Sequence, residues 1–473
     1  MIRGLRSFID SYSPMYRITA RQALPCASTT LTNTASRSNA SRSRVVILGS
    51  IGMFASRVFG FVASFFVIGI LSRGLTQEAF GLWAIMSSFA FFASSFDFGL
   101  GQAMRNKLAE MASGPDQAAR RERDLFFAVL TTLVLVCGLV GAAIALIFPH
   151  LPWASWFNAQ SPAITRVIPM TATVVAVSFV GCMPLGLSYA GFLAYQEAGR
   201  RSFFDAIQSL MLLLTVVLFA SRLPIAQLIA VYYLVFLLSQ LIALVSFVWR
   251  RRWRPVWVSF GAAWGMVRPL ASRSVLFWFL GMSWVLIFTT DPAIAGRVLG
   301  LASAGDFNVV QKLFTVIITV HFTVLTPLWS AYTQAAHVRD WAWIDRSLRR
   351  SLWATVIVLV LGASALALLS GPLLEFWVGR KIDDPSLVAS FVVWTAVYAV
   401  INCYSILLSG LGRLRRQTAL AGSAALLHWP LSLWLGSTIG AAGIVLGTVA
   451  VILPLGVSNI LEVRSVLKEH SVN

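Results

Sequence analysis

The chain has 473 residues, of which 58% are hydrophobic and 12% are charged, and its mean hydropathy is +0.78. Soluble domains carry about 25% charged residues, so this composition excludes an ordinary soluble protein and indicates one that crosses a membrane many times. The net charge of +19 resembles that of nucleic-acid-binding proteins, but the basic residues are placed as membrane topology requires, and no nucleic-acid partner is expected.

Residues 1–44 are rich in Ser, Thr and Arg, and Asp10 is their only acid. This composition fits a transit peptide, a disordered cytoplasmic tail, or translated sequence upstream of the true start. A secretory signal peptide is not indicated, because no short apolar segment with a cleavage site precedes Val45. We expect a dispensable tail.

Twelve apolar runs follow, each near or above the about 18 residues that cross a bilayer as a helix. They are residues 45–71, 80–104, 125–148, 167–195, 203–220, 225–249, 274–299, 307–335, 352–369, 387–411, 418–435 and 439–463. We therefore predict an all-α integral membrane protein with twelve transmembrane helices.

The distribution of Lys and Arg predicts the orientation of these helices. If the amino terminus is cytoplasmic and every run crosses once, 29 basic residues lie on the cytoplasmic side and 6 on the outside, and Arg57 and Lys312 lie within spans. This asymmetry is what the positive-inside rule requires. Both termini are therefore predicted to be cytoplasmic. The asymmetry also supports the count of twelve, because a missed helix would move the later basic loops to the wrong side of the membrane.

The two halves of the chain resemble each other. GLTQEAFGLW (74–83) in the first half corresponds to GLASAGDFNVV (300–310) in the second, and LAYQEAGRRSFF (193–204) corresponds to LSGLGRLRRQTA (408–419). Six helices of the same orientation in each half indicate a parallel repeat about an axis along the membrane normal. Two such bundles enclose a central cavity.

The predicted units are a tail (1–44), an N-terminal six-helix bundle (45–249), a cytoplasmic linker (250–272), a C-terminal six-helix bundle (273–463) and a cytoplasmic tail (464–473).

Ionisable residues within the spans are functional candidates, because a charge at the bilayer centre costs about 2.5–3.5 kcal/mol on insertion scales. At 1.5 Å per residue, Arg57 on the first helix and Asp97 on the second lie level within roughly one turn. We predict that they pair or face one cavity. The alternative is an ion pair that only locks two helices together.

The second half has a comparable arrangement at a different depth. Asp291 lies near the outer end of the seventh helix, and Lys312 lies at the same level in the eighth. Pro292 lacks an N–H and is expected to kink the seventh helix and free a backbone carbonyl.

The eighth helix carries polar residues at steps of three or four, which places them on one face. They are Asn308, Lys312, Thr315, Thr319, Thr323, Thr326, Ser330 and Gln334. A face of this length favours a helix that lines a translocation path. The alternative is that the Thr and Ser hydroxyls bond back to their own helix.

The remaining polar residues are weaker candidates. His321 lies off the polar stripe and fits a packed core histidine, and His428 and Glu197 carry still less indication of function, with Glu197 expected beside Arg200. Arg105 and Lys107 close the helix that contains Asp97. The cytoplasmic arginine runs fit topology signals and contacts with anionic lipids.

The chain has no motif for metal binding, cofactor binding or catalysis. The four cysteines form no CxxC pair and no metal spacing, and they fit small apolar fillers. Walker A, GxSxG and HExxH motifs are absent, so neither direct ATP hydrolysis nor an enzyme of those classes is indicated.

The segment LSRGLTQEAFGLWAIMSSFAFFASSFDFGLGQAMRNKLAE (71–110) resembles the polysaccharide-unit flippases of bacteria. These Wzx-type transporters share a fold with the multidrug and toxin extrusion (MATE) transporters. The resemblance lies in the glycine turn Gly74–Gly81, the patch Asp97–Gly101 and the basic Arg105, and it extends more loosely over all twelve helices.

The resemblance implies a flippase of the bacterial inner membrane that moves a polyprenyl-diphosphate-linked oligosaccharide for O-antigen, capsule or exopolysaccharide synthesis. The sugar head would cross the cavity while the lipid tail stays among membrane lipids, with H⁺ or Na⁺ as coupling ion and a polysaccharide polymerase and chain-length proteins as partners. Cations would attract the diphosphate. The candidate substrate residues are Arg57, Asp97, Arg105, Asp291, Asn308, Lys312, Thr315, Thr319 and Gln334.

Two alternatives stay open. A drug antiporter of the MATE type would carry more acids than bases in its cavity, whereas Arg57 and Lys312 offset the buried acids here. A membrane-embedded glycosyltransferase, polymerase or ligase would need an acidic centre on a sizeable outside loop. The only outside acidic pair, Asp383 and Asp384, lies in a short loop beside Arg380 and Lys381.

Overall fold

The computed structural model describes residues 52, 54–93, 99–111 and 118–471. Within these residues the regular elements are helices. They are α1 (Phe54–Gly74), α2 (Gln77–Ala93), α3 (Leu100–Met111), α4 (Ala118–Ile147), α5 (Trp153–Trp156), α6 (Pro162–Leu185), α7 (Leu187–Ala194), α8 (Ala198–Phe219), α9 (Ile225–Arg250), α10 (Phe260–Thr289), α11 (Asp291–Leu299), α12 (Leu301–His337), α13 (Trp341–Val358), α14 (Ser364–Val378), α15 (Pro385–Gly410), α16 (Arg415–Ile439) and α17 (Ala441–Ser471). A short 3₁₀ helix (Phe148–His150) precedes α5, and a π-helical segment (Leu359–Ala363) joins α13 to α14.

Ten helical segments of the described chain are long and apolar enough to cross a bilayer. They coincide with ten of the twelve predicted runs, so the chain is a multi-pass membrane protein. The remaining predicted spans fall on α2, which has 17 residues, and on α16, which has 25 residues but buries polar side chains. The count of twelve and the cytoplasmic position of both termini stay predictions.

The two ends of the helices form two faces. The Trp377 face contains the ends of α1 and α14 and the beginnings of α2 and α12. The Arg251 face contains the end of α9 and the beginnings of α8 and α4. An ion pair joins Arg251 to Glu197, and a hydrogen bond joins Tyr195 to Glu122. By the predicted topology, the Arg251 face is cytoplasmic.

The two halves of the chain touch directly at the Trp377 face. A Cβ atom on Gly81 of α2 would lie 1.6 Å from the backbone oxygen of Leu301, so only glycine permits this approach of α2 to α12. One buried core contains residues from both halves, including Phe80, Trp83, Phe307 and Phe314. The closure of the halves on this face therefore depends on backbone contact as well as on side-chain packing.

The region between the halves is partly helical. Residues 260–272, which lie in the predicted linker, form the first part of α10, and Val267 there packs in a cluster with Met104 of α3 and Phe126 of α4. The beginning of α10 is therefore attached to the first half, whereas its later residues Ile287 and Leu280 pack with the second half. The predicted unit boundaries stay predictions.

Pro292 interrupts the seventh predicted span, as the sequence indicates. Helix α10 ends at Thr289, and α11 begins at Asp291 with Pro292 in its first turn. Proline has no N–H to offer the residue four positions earlier, and that carbonyl, on Phe288, instead accepts from Gln311 Nε2 at 3.1 Å. The predicted free carbonyl is thus confirmed, and a side chain of α12 satisfies it.

Candidate functional site

Arg57, the first predicted site residue, lies on α1 and is exposed. Its predicted partner Asp97 lies outside the described residues, so the pairing of Arg57 with Asp97 stays a prediction. The structure instead places Arg57 within electrostatic range of Asp205 on α8. Asp205 is the acid that the sequence analysis overlooked at this position.

A second guanidinium shares Asp205. Arg201 Nε lies 3.7 Å from Asp205 Oδ2, one turn earlier on α8, and its guanidinium carbon lies 5.5 Å from the ring centre of Tyr189. Arg105 of α3 is half-buried and interacts electrostatically with Arg201. We call Arg57, Arg105, Arg201 and Asp205 the arginine cluster.

The arginine cluster has the chemistry of an anion site. Guanidinium groups present fixed forks of N–H donors that match phosphate oxygens. Burial lowers the pKa of Arg105, and repulsion from Arg201 lowers it further. An anion that bound between the two groups would relieve this repulsion. Arg105 was predicted as a site residue, whereas Arg201 was noted only as part of a repeated turn.

Asp291 is almost fully buried, and its partners differ from the predicted one. Its Oδ1 lies 2.9 Å from His428 Nε2, and Thr448 Oγ1 donates to both carboxylate oxygens at 3.2 Å. His428 Nδ1 faces Thr290 Oγ1 at 3.4 Å. These four side chains, here called the Asp291 set, are at most 7% exposed. The expected neighbour, Lys312, makes no contact with Asp291 in the described structure.

The helix break explains why Asp291 tolerates burial. As the first residue of α11, it lies at the positive end of that helix dipole. The imidazole Nε2 of His428 and the hydroxyl of Thr448 lie within hydrogen-bonding distance of the carboxylate oxygens. A buried charge that is paired and hydrogen-bonded avoids most of the desolvation penalty.

Lys312 and Asn308 lie one turn apart on α12. Lys312 is half-buried, and no described residue forms a hydrogen bond or ion pair with it. Asn308 is buried, and its Nδ2 donates to Ser88 Oγ of α2 at 3.4 Å, which joins the two halves of the chain. Lys312 therefore remains a candidate for a negatively charged ligand, and Asn308 has a visible structural contact.

The threonine residues of the polar stripe bond back to their own helix. Each hydroxyl donates to the carbonyl four residues earlier, at 2.7–2.8 Å, in Thr315, Thr319, Thr323 and Thr326. This is the alternative that the sequence analysis left open. A hydroxyl that donates backward still presents lone pairs, so Thr315 and Thr319 stay predicted site residues. Gln334, at the far end of the stripe, is exposed.

Two minor expectations are confirmed. His321 is buried, and its Nε2 lies 2.8 Å from Thr355 Oγ1, as expected for a packed core histidine. Glu197 Oε2 lies 2.6 Å from Arg200 Nη1.

Glu197 also binds Arg251 at the Arg251 face, with Oε1 3.0 Å from Nη2. The Arg251 guanidinium stacks 3.4 Å above the Tyr195 ring, and the Tyr195 hydroxyl donates to Glu122 Oε2 at 2.6 Å. These contacts tie the ends of α4, α8 and α9 together.

The three cysteines of the described residues are buried thiols. Cys137, Cys182 and Cys403 are free and buried, and Cys26 lies outside the described residues. No group of three or more His, Cys, Asp or Glu side chains converges in the described chain. The placement of these three thiols matches the prediction of apolar fillers.

His428 is the residue whose interpretation changes most. Its sequence neighbourhood, AALLHWPLSL, is apolar, and the helix α16 gave little indication of a partner. A usable signal was present, since an isolated histidine and an isolated aspartate in membrane spans each need a polar partner. Asp205, within the predicted span 203–220, carried the same signal, whereas Thr448 did not.

Comparison with known proteins identifies a family and a fold. The sequence model of the family described as "Polysaccharide biosynthesis protein" matches residues 46–332. No curated protein sequence gives a match.

Solved structures of two transporter types resemble the described fold. One is the "Lipid II flippase MurJ, inward closed conformation", with a TM-score of 0.67 and 14% identity, over 88% of this chain and 87% of that one. Another is the "Inward-facing conformation of a multidrug resistance MATE family transporter of the MOP superfamily", with a TM-score of 0.66 and 12% identity, over 90% of this chain and 99% of that one. The corresponding outward-facing MATE transporter gives 0.59 at 13% identity, over 91% and 96%. At these sequence identities the likeness concerns the fold alone.

The family match covers more than half of the chain, so this protein belongs to the polysaccharide biosynthesis protein family.

Proposed function

We propose that this protein is a flippase that moves a polyprenyl-diphosphate-linked oligosaccharide across the bacterial cytoplasmic membrane by alternating access. The observation that carries the proposal is the arginine cluster, in a member of the polysaccharide biosynthesis family. A diphosphate carries the charge and oxygen geometry that guanidinium groups bind. The cluster lies towards the Arg251 face, where a substrate from the cytoplasm would enter.

Loading and release follow from this placement. Arg57 and Arg201 would hold the diphosphate, with Asp205 as the counter-charge that the phosphate displaces. Arg105 would add charge at the mouth, and Lys312 and Asn308 would contact the substrate farther along the path. The substrate would also contact the remaining candidate residues from the sequence, which are Asp97, Thr315, Thr319 and Gln334. The polyprenyl chain would stay among membrane lipids.

We further propose that the Asp291 set takes up the coupling ion. The ligand it favours is a proton, because the imidazole of His428 already occupies the hydrogen-bonding position beside the carboxylate and imidazole is the side chain that most often carries a proton in pH-dependent switches. A protonated His428 would strengthen the pair, and a neutral one would loosen it. The packing of α11, α16 and α17 around Asp291 would then differ between the two states.

The decisive experiment is a flipping assay in vesicles. Purified protein would be reconstituted with a fluorescent polyprenyl-diphosphate-linked disaccharide, and accessibility of the sugar to an external enzyme or quencher would report transfer. Wild type should transfer the lipid, and the double variant R57A/R201A should lose most of that transfer. Arg222→Ala is the matched control, since Arg222 is an exposed arginine near the end of α8 that is remote from the cluster. Equal transfer by wild type and R57A/R201A would refute the assigned site.

The same vesicles test the two alternatives. A drug antiporter would move a cationic dye against a proton or sodium gradient, and lipid transfer would be absent. A glycosyltransferase, polymerase or ligase would change the length of the sugar chain. The 14-residue turn at 148–161 contains no Asp or Glu, which disfavours an acidic catalytic centre there. Association with a polymerase and with chain-length proteins is proposed on the family relationship alone.

A further inference from the structure

The carboxyl end of α14 meets α1 from the other half of the chain at the Trp377 face. Trp377 Nε1 donates to the backbone oxygen of Phe65 at 2.7 Å. The two rings are stacked, with centroids 4.2 Å apart and planes within 1°. The indole thus makes both a hydrogen bond and a ring contact across the two halves.

Side chains of the first half also cap α14. The last carbonyls of a helix have no partner within it. Here the backbone oxygen of Phe376 accepts from Arg73 Nη2. The Ser72 hydroxyl lies between two carbonyl oxygens, 3.3 Å from that of Val378 and 3.1 Å from that of Gly69 in its own helix. The arginine is favourable at this end of a helix dipole. Helix α14 therefore receives its cap from the opposite half of the molecule.

The turn after α14 is shaped for this contact. Gly379 has a φ of 80°, which other residues rarely adopt, and a Cβ there would lie 3.0 Å from Arg73 Cγ. Arg380 follows and binds Asp306 of α12, with Nη2 2.5 Å from Oδ1. Because Asp306 belongs to the same half as Arg380, this ion pair holds the turn in place without joining the halves.

We propose that Ser72, Arg73, Phe65 and residues 376–380 form a latch that closes the Trp377 face and opens during each transport cycle. The latch links side chains of one half to backbone oxygens of the other, so breaking it leaves both helices intact. Its hydrogen bonds exchange for bonds with water when the face opens, which makes the contact reversible. The Asp306–Arg380 pair is the positioning element, since it keeps the turn ready to close again.

This inference rests on alternating access in the proposed function, but its test needs no substrate. Nitroxide labels on cysteines that replace Gln77 and Asp383, both exposed near the Trp377 face on opposite halves, would report the gap between the halves. Pulsed electron-electron distance measurements would use the full-length chain in lipid nanodiscs, with the native cysteines replaced. These distances do not depend on whether the protein flips the substrate. A negative flipping assay would therefore refute the proposed function, whereas unchanged distances in the variants would refute the latch.

The variants form a graded series. W377A should increase the long-distance population about fivefold or more, because it removes a hydrogen bond and the ring contact together. W377F keeps a ring but no N–H donor and should give a smaller increase, which also covers the case in which W377A does not fold. R73Q should resemble W377F. D306N should widen the distribution modestly, since it frees the turn but removes no contact between the halves.

The matched control is Trp434→Ala. Trp434 is 62% exposed near the carboxyl end of α16 and has no ring contact in the described structure. It should leave the distances unchanged. If W377F and R73Q gave the wild-type distribution while remaining folded, the latch would be wrong.

Discussion

The imidazole of His428 lies against the carboxylate of Asp291, with Nε2 2.9 Å from Oδ1, although 137 positions separate the two residues. Both are buried within the second half of a membrane protein. Thr448 bonds to the same carboxylate from a third helix. This contact makes α11, α16 and α17 interdependent, and it gives the chain a protonatable pair inside its membrane region.

Removing one member of this pair should destabilise the protein strongly. H428A leaves a buried carboxylate without its main partner, which costs about 3–5 kcal/mol. The double variant D291N/H428Q replaces the carboxyl group and the imidazole by two amides and should be more stable than H428A. Unfolding by denaturant in detergent would measure these differences. His337→Ala is the control, since His337 is an exposed histidine at the end of α12.

The coupling role of Asp291 predicts a loss of ion dependence. Flipping by wild type in vesicles should rise when a proton gradient is imposed, and a sodium gradient should have no effect. D291N should transfer lipid at one rate whether or not the gradient is present, because the imidazole of His428 loses the carboxylate that stabilises its protonated form. A response to sodium alone would contradict the proton assignment.

Arg57 should be required for transport and not for folding. Because Arg57 is exposed on α1, R57A should leave the protein level unchanged while surface polysaccharide export is abolished. The reason is the loss of a guanidinium from the diphosphate site. Immunoblotting of membranes and staining of surface polysaccharide would measure the two quantities, with R222A as control. Unchanged export would remove Arg57 from the mechanism.

The partner of Arg57 can be identified by charge exchange. If Arg57 pairs with Asp97, the double variant R57D/D97R should recover stability relative to the singles by about 0.5–3 kcal/mol. If Asp205 is the partner, R57D/D205R should recover instead. Thermal unfolding in detergent compares both cycles directly. No recovery in either cycle would mean that Arg57 has no fixed carboxylate partner.

The proline break predicts a rescue. Q311L removes the donor that satisfies the backbone oxygen of Phe288, and a buried unsatisfied carbonyl costs about 1–3 kcal/mol. In the double variant P292A/Q311L, residue 292 regains an N–H that can bond to Phe288 within a continuous helix. The double variant should therefore be more stable than Q311L. Equal stability would indicate that water satisfies the carbonyl in Q311L.

Local features of the sequence were sufficient to predict several structural elements. Runs of apolar residues place ten helical segments correctly, because the transfer of a span into lipid depends on its own side chains. Pro292 breaks the seventh span because it lacks an N–H, whatever surrounds it. The contact of Glu197 with Arg200 spans one helical turn and is likewise local.

Contacts between distant helices were decided by the tertiary structure. Depth matching placed Lys312 level with Asp291, yet His428 and Thr448 are the partners, because depth leaves the rotation of each helix about its axis undetermined. The same reason explains why Asp205 was overlooked beside Arg57. Composition was enough to predict a polytopic membrane protein, and the resemblance of residues 71–110 indicated the polysaccharide family. The relative rotation and approach of its helices, visible where Gly81 touches Leu301 and Trp377 touches Phe65, decided which side chains meet.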